Sequence, residues 1–498
     1  MAETKRPEQE TRPEQQVAEL IAGSADAAPP AAPAGRTYRT TALVIATGLF
    51  MQNLDATVLA TALPTLSREF MVSPTSISLA LTSYLLALAI FIPASGTIAD
   101  RFGPRRIFQF AIGLFVAGSI ACGFSTDLTS LVVARFVQGI GGAMMVPVGR
   151  LVLLRTVEKR DLVAAVAWLA MPAMIGPILG PPLGGFFVTF LDWRWIFWIN
   201  VPMGALGIFL VGRLIPDIQS PAPPRFDRLG FILSGLALGA TLFGLEIVTR
   251  PGEAAIGWPL LAIGFTGGIA YYLHARRRDR PILDLALLRV KTFRLTVIVG
   301  TLMRISQGAL PFLLPMMMQL SFGLSAAMSG AITVMTAIGA FAMKSVVRPV
   351  LRRFGFRTSL IAIGLLAPST FALIGLFRPE WPWPAMLAVL FVYGFLTSLQ
   401  FSALNTLAYD EIEQERMSSA TSFYSTFQQL ALSLGVCAAA GFLGLGMSIN
   451  GHAEPQFADF SIAIWSVVAI SLTAIFFNLQ FDRNAGAEMA GRTSTERG

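Results

Sequence analysis

Apolar and polar residues segregate along this chain on the scale of whole helices rather than single positions. Runs of about 20 mostly apolar residues, long enough to cross the hydrocarbon of a bilayer as a helix, recur fourteen times. Six fall at 41–64, 76–99, 106–124, 128–154, 162–189 and 195–215, and a pair at 229–248 and 256–274. Six more follow at 295–317, 326–347, 359–377, 384–407, 419–445 and 458–480. The pattern predicts an all-α membrane protein. The first run starts late, behind a stretch rich in Pro, Ala, Gln and Glu, and is too long for a cleaved signal peptide. Residues 1–39 read as a disordered cytoplasmic tail, and 482–498 as a second tail.

Composition agrees: 54% of the 498 residues are hydrophobic and only 13% charged. The net charge of +8 does not form a nucleic-acid face, because the basic residues are scattered through short loops. They report topology instead. With fourteen spans, 31 of the 37 Lys and Arg residues fall on the side of the N-terminus. Cytoplasmic loops carry such an excess, so both termini are expected in the cytoplasm, with the protein multi-pass in the plasma (inner) membrane. The two cysteines, Cys122 and Cys437, lie far apart in apolar runs and support neither a disulfide framework nor a metal site. No cofactor or metal is expected.

A faint repeat divides the chain. Arg101-Phe102-Gly103-Pro104-Arg105 recurs as Arg353-Phe354-Gly355-Phe356-Arg357, 252 residues on, and Leu63-Pro64 meets Leu314-Pro315 at nearly that offset. Two six-helix bundles are expected, over 40–215 and 295–481, with two inserted helices within 216–274. The linker at 275–294 mixes Arg with Leu, Ile and Val and reads as an interfacial amphipathic helix on the cytoplasmic side.

Charge inside hydrocarbon is costly, so each intramembrane ionisable group is a functional candidate. Asp55 lies nine residues before Pro64, hence ~13 Å deep at the helical rise per residue. Arg135 lies ~10 Å deep in the fourth run by the same rise, a depth compatible with pairing. A carboxylate beside a movable guanidinium takes up a proton when its partner leaves, as a proton-coupled cycle requires. The plainer alternative is a static buried ion pair. Arg304 and Gln307 near the middle of the ninth run, with Gln138 in the fourth, are expected to line a substrate cavity. If Asp55, Arg135 and Arg304 share that cavity, its charge does not suit a dicationic substrate. Glu246 reads as interfacial and Lys344 as snorkelling. In the fifth run, Gly176, Gly180 and Gly184 repeat every four residues beside Gly185, and Pro177, Pro181 and Pro182 interrupt the ladder; a close-packed, bent helix follows.

Together these segments resemble the major facilitator superfamily, specifically its fourteen-helix drug:proton antiporters of the EmrB/QacA type. Gly96, Asp100, Arg101, Gly103 and Arg105 match the superfamily's motif A, which the resemblance implies gates the cytoplasmic side. Leu54-Asp55-Ala-Thr57 through Leu63-Pro64 is similar to the first-helix pattern of that group, with Ala60 where Asn is usual. The stretch from Arg135 through Gln138 to Gly142 resembles motif B, whose Arg is associated with proton transfer. Gly176 to Gly185 resembles motif C, associated with exporters. Gly142 to Arg150, Arg225-Phe226-Asp227 and Leu273-His274-Ala-Arg276 narrow the likeness within the group. The resemblance implies a major facilitator fold and a monomeric carrier that exchanges small amphiphilic molecules for protons by alternating access. An exporter of anionic metabolites or metal chelates and a transport-inactive sensor stay open. An enzyme is not expected: the only histidines, His274 and His452, sit near span ends. No Gly-x-x-x-x-Gly-Lys-Ser/Thr loop is present to bind ATP.

Overall fold

A computed structural model describes residues 38–157, 161–217, 226–248, 253–482 and 484–486. Its membrane spans are α1 (Tyr38–Glu69), α2 (Ser76–Phe102), α3 (Pro104–Gly123), α4 (Leu128–Thr156), α5 (Leu162–Phe190), α6 (Trp195–Leu214) and α7 (Arg228–Val248). The rest are α8 (Ala254–Ala275), α9 (Lys291–Ser321), α10 (Ala326–Met343), α11 (Phe356–Ile374), α12 (Trp383–Leu407), α13 (Met417–Asn450) and α14 (Phe457–Asn478). Thirteen are long and apolar enough to cross a membrane, and α5 is apolar over Met174–Phe190. No strand occurs among the described residues. The expected N-terminal tail lies outside them apart from Tyr38 and Arg39, which open α1, and the expected C-terminal tail is described only at Asp482 and 484–486.

Packing repeats at an offset of eight spans. Within the first half α1 packs on α5, α2 on α4 and α3 on α4; in the second, α9 packs on α13, α10 on α12 and α11 on α12. Between the halves α5 meets α10 and α13 meets α2, the same pair with the halves exchanged. The short repeat in the sequence has a structural counterpart. Gly103 and Gly355 adopt φ of 90° and 76°, which only glycine reaches without strain. Arg105 donates to the carbonyl of Gly212 at the end of α6, and Arg357 to that of Leu479 at the end of α14. Each repeat thus staples the third helix of its half to the sixth.

α7 and α8 form a hairpin at the edge of the bundle. They pack chiefly on each other, and α7 leans on α2 and α13. Large apolar residues such as Ile232, Trp258 and Phe265 remain exposed on them, as suits helices facing lipid. The linker departs from expectation: in place of an amphipathic α-helix it holds only a 3-10 turn at Leu285–Arg289. Pro281 denies the preceding residue an α conformation. The Tyr271 hydroxyl then donates to the Leu283 carbonyl and accepts from its N–H, pinning the linker to α8.

The arrangement has an open and a sealed side. The face bearing the α2–α3 turn, where Arg101, Arg105 and Arg106 lie, is called here the basic face. Toward the opposite face one apolar core spans both halves, joining Leu59, Leu63 and Leu81 to Leu313, Met317 and Val436. Toward the basic face the cores separate, one around Ile45, Phe108 and Val148 and another around Leu295, Leu360 and Leu404. The halves therefore close on the opposite face and part on the basic face.

Candidate functional site

α1 carries the centre of the site. Its helix tightens to a 3-10 turn at Leu59–Ala62, just before Pro64, which has no N–H to offer the Ala60 carbonyl. Ahead of that turn Asp55 is buried at 1% exposure, and Arg135 of α4 at 0%. The two meet: Arg135 Nη1 donates to Asp55 Oδ2 at 2.5 Å. Asp55 Oδ1 accepts from Gln138 Nε2 at 2.7 Å and from Asn200 Nδ2 of α6 at 3.1 Å. Arg135 Nη1 also reaches Gln138 Oε1 at 2.7 Å, its Nε donates to the Ala80 carbonyl at 3.2 Å, and its guanidinium lies 4.3 Å from the Tyr84 ring centroid. Ser119 Oγ accepts from both Gln138 and Asn200. Arg135 Nη2 and Asn200 Oδ1 are buried without a hydrogen-bond partner.

The cluster therefore satisfies the carboxylate fully and the guanidinium incompletely. Its charges offset each other, the condition for keeping either in a low-dielectric interior. Neutralising Asp55 by a proton would leave Arg135 as an uncompensated buried cation, so the proton and the position of Arg135 are linked. Asn200, Ser119 and Tyr84 escaped the sequence reading. The lone Asn in the apolar sixth run was the usable signal, whereas Ser119 and Tyr84 are common in membrane helices.

Beside the cluster, between the halves, lies a cavity of about 330 Å³. Thr57, Ala60 and Thr61 of α1, Pro177 and Pro181 of α5, Gln307 of α9 and Tyr393 of α12 are on its wall. Apart from the Tyr393 phenol, no lining side chain is ionisable. Of the residues expected to line a cavity, Gln307 does so. Gln138 is absorbed into the Asp55 cluster inside the first half. Arg304 points into the second half, where it donates to the Tyr424 hydroxyl at 3.1 Å and lies 5.3 Å and 5.4 Å from the Tyr424 and Phe401 ring centroids. Ring faces attract the guanidinium there. Asp55, Arg135 and Arg304 thus all stand off the cavity wall, and the sequence argument against cations loses its premise.

The glycine string of α5 serves two contacts. A Cβ on Gly176, Gly180 or Gly184 would collide with Asn53 and Leu54, with Thr57, or with Val58 and Thr61, so these glycines let α5 lie directly on α1. Gly185 instead abuts the Ala326 backbone of α10, and the Pro181 carbonyl abuts Gly330. One helix thereby touches the cavity, the site-bearing helix and the other half. Further bonds seal the opposite face: Gln319 Nε2 donates to the Thr61 carbonyl at 2.9 Å, and the Ala327 N–H to Thr189 Oγ1 at 2.9 Å.

On the basic face Asp100 pairs with Arg155 of α4 at 2.6 Å, and Arg106 with Asp217 at 3.0 Å. Arg101 lies beside the Phe102 ring, and Gly96 has open space around its Cβ position. These charge contacts stay within the first half, in keeping with halves that part on this side. Glu246 is not interfacial as its sequence position suggested: it is 3% exposed and accepts from Ser78 Oγ, with Cys437 Sγ at 2.8 Å. The lean of α7 against α2 and α13 covers it.

A repeated bundle of this kind, closed on one face and parted on the other around a neutral cavity, has the architecture of the major facilitator transporters. The sequence profile of the Major Facilitator Superfamily matches residues 45–436, and the chain belongs to that family. Among curated relatives, "Putative multidrug resistance protein MdtD" of Pectobacterium atrosepticum is 37% identical over 448 residues, covering 87% of this chain and 94% of the relative. "Probable transport protein HsrA" of Haemophilus influenzae is also 37% identical, over 438 residues, with the same coverages. Solved structures share the fold: a D-xylose-proton symporter matches with TM-score 0.65 at 14% identity, covering 89% of this chain and 97% of its own. A POT family transporter in complex with 5-aminolevulinic acid matches with TM-score 0.66 at 16% identity, covering 88% and 96%.

Proposed function

We propose that this protein is a proton-coupled antiporter that exports small amphiphilic molecules across the inner membrane by alternating access, with both termini in the cytoplasm. The observation that carries the reading is that one helix, α1, bears both the buried Asp55–Arg135 pair and the cavity wall at Thr57, Ala60 and Thr61. With Asp55 ionised, Arg135 is held in the first half. A proton on Asp55 removes the acceptor for Arg135 Nη1, and the guanidinium must find new partners. That repacking moves α1 against α5, whose Gly185 and Pro181 contact the other half. Substrate would enter from the basic face, where the halves part, and leave once the seal at Thr61, Gln319, Thr189 and Ala327 opens. The names of the multidrug-resistance relatives support export of toxic compounds, and the neutral, hydroxyl-bearing cavity suits amphiphilic cargo better than a fixed charge.

The test is substrate-induced proton movement in proteoliposomes, with cationic, neutral and anionic compounds, for wild type and Asp55→Asn. Coupling is expected in the wild type and its loss in the variant. Undiminished coupled transport by Asp55→Asn removes Asp55 from the mechanism.

A further inference from the structure

Arg304 of α9 is buried at 4% exposure, yet no carboxylate pairs with it among the described residues. A guanidinium held inside the hydrocarbon region without a counter-charge is costly. Its Nη2 donates to the Tyr424 hydroxyl at 3.1 Å, and no other nitrogen of the group has a hydrogen-bond partner among the described residues. Nor are those nitrogens sealed off, as the unpartnered Nη2 of Arg135 is, so their N–H groups open onto accessible space.

That space adjoins the cavity. Arg304 stands three residues before Gln307 on α9, Phe401 four after Thr397 on α12, and Lys344 four after Ala340 at the end of α10. Residues three or four apart share a helix face, so these side chains continue the cavity one turn toward the basic face, where the halves part. Arg304 Nη1 leans the same way, lying over Gly300, where a Cβ would collide with it. The Phe401 ring is 39% exposed, and both cations lie against it, with Arg304 Cζ 5.4 Å and Lys344 Nζ 5.8 Å from its centroid. Lys344 Nζ donates to Ser402 Oγ at 3.1 Å and has no acid either. Two like charges beside one ring repel each other, and a bound anion would relieve both. The acids just past α12 are engaged elsewhere: Asp410 accepts from the Gly486 N–H and Glu411 from Thr292 Oγ1. From the first half, the charge of Arg150 reaches the Tyr409 hydroxyl together with that of Arg304, so the field is positive from both sides of the gap.

We propose that Arg304 and Lys344 form a head-group site for amphiphilic organic acids, the carboxylate docking on the open edge of the guanidinium and the apolar body lying on Phe401 and reaching into the cavity. This deepens the proposed function by assigning a charge to its cargo; the onward passage rests on the transporter reading, while the docking does not. The planar fork of a guanidinium matches a carboxylate, whereas the lysine contributes a point charge on a flexible stem. The neutral cavity then takes the body of the molecule rather than its charge.

The test uses the full chain in dodecyl maltoside, with no lipid and no proton gradient, and dansylglycine as the probe beside its uncharged amide. Wild type is expected to bind the acid about tenfold more tightly than the amide, the worth of a charge-assisted hydrogen bond. Arg304→Gln should bind both alike, with its affinity for the amide unchanged. Lys344→Gln, at an exposed position, should weaken the acid about threefold, as suits a solvated charge, and leave the amide unaffected; its ratio decides the matter should Arg304→Gln fail to fold. A lipid phosphate shares this chemistry, so hippurate and a short-chain phosphatidylglycerol are compared as competitors, and displacement by hippurate alone is expected. Equal wild-type affinities for acid and amide, an acid preference that survives both variants, no displacement by hippurate, or displacement by phosphatidylglycerol would each overturn the site. Equilibrium binding needs no proton, so its failure leaves coupling through Asp55 standing, and loss of coupling leaves the acid site standing.

Discussion

Asp55 and Arg135 are tolerated inside the first half only as a pair, which fixes the outcome of replacing either. Arg135→Ala would leave the carboxylate buried with Gln138 and Asn200 as its remaining donors. Removing one partner of a buried pair costs about 3–5 kcal/mol, so a clear drop in melting temperature is expected. Arg135→Met combined with Asp55→Asn, which removes both charges, should recover most of that loss. Equal melting temperatures for Arg135→Ala and wild type would show that the Asp55 carboxylate does not depend on Arg135 to be held in the interior. At this scale the sequence was legible in depth but not in azimuth. Asp55 and Arg135 stand out because charge is scarce in apolar runs, and the helical rise places them at matching levels. Which way Gln138 and Arg304 face depends on neighbours contributed by other helices, Asn200 and Ser119 for the one and Tyr424 and Phe401 for the other. Both were expected on a cavity wall that neither reaches.

Among the elements, the spans were readable because each must satisfy its own backbone in lipid, which makes length and apolarity sufficient signals. The linker was not. Its alternating Arg and Leu mimic an amphipathic helix, while Pro281 and the Tyr271 hydroxyl decide the backbone. The α5 glycines were visible as a stripe of small residues, although only the structure shows that Gly176, Gly180 and Gly184 face α1 while Gly185 faces α10. Gly180 gives the sharpest test. A Cβ there would lie 2.8 Å from Thr57 Cβ and closer still to its hydroxyl. Gly180→Val should therefore force α1 from α5 at an overpacking cost of about 1–3 kcal/mol and slow transport. Thr57→Ala in the same chain removes the nearest obstructing atom and should restore part of both. Transport unaffected by Gly180→Val would mean that the α1–α5 contact does not have to stay close during the cycle.

For the whole molecule, the packing repeat turns a list of helices into a mechanism. α5 with α10 and α13 with α2 are equivalent contacts, so under the alternating access proposed above the halves would rock about two matched seams. The apolar core shared across the halves toward the opposite face, against separate cores toward the basic face, fixes which side is closed. On that proposal, transport would require the seal between Thr189 and Ala327 to break once per cycle. The Ala327 N–H lies 2.9 Å from Thr189 Oγ1, which brings the two residues close enough for a short covalent link. A Thr189→Cys, Ala327→Cys pair should be active when reduced, lose transport on oxidation and regain it with dithiothreitol, while each single variant stays active throughout. Continued transport by a fully cross-linked sample would show that the halves need not part at this seam, and the alternating-access reading would have to place its outer gate elsewhere.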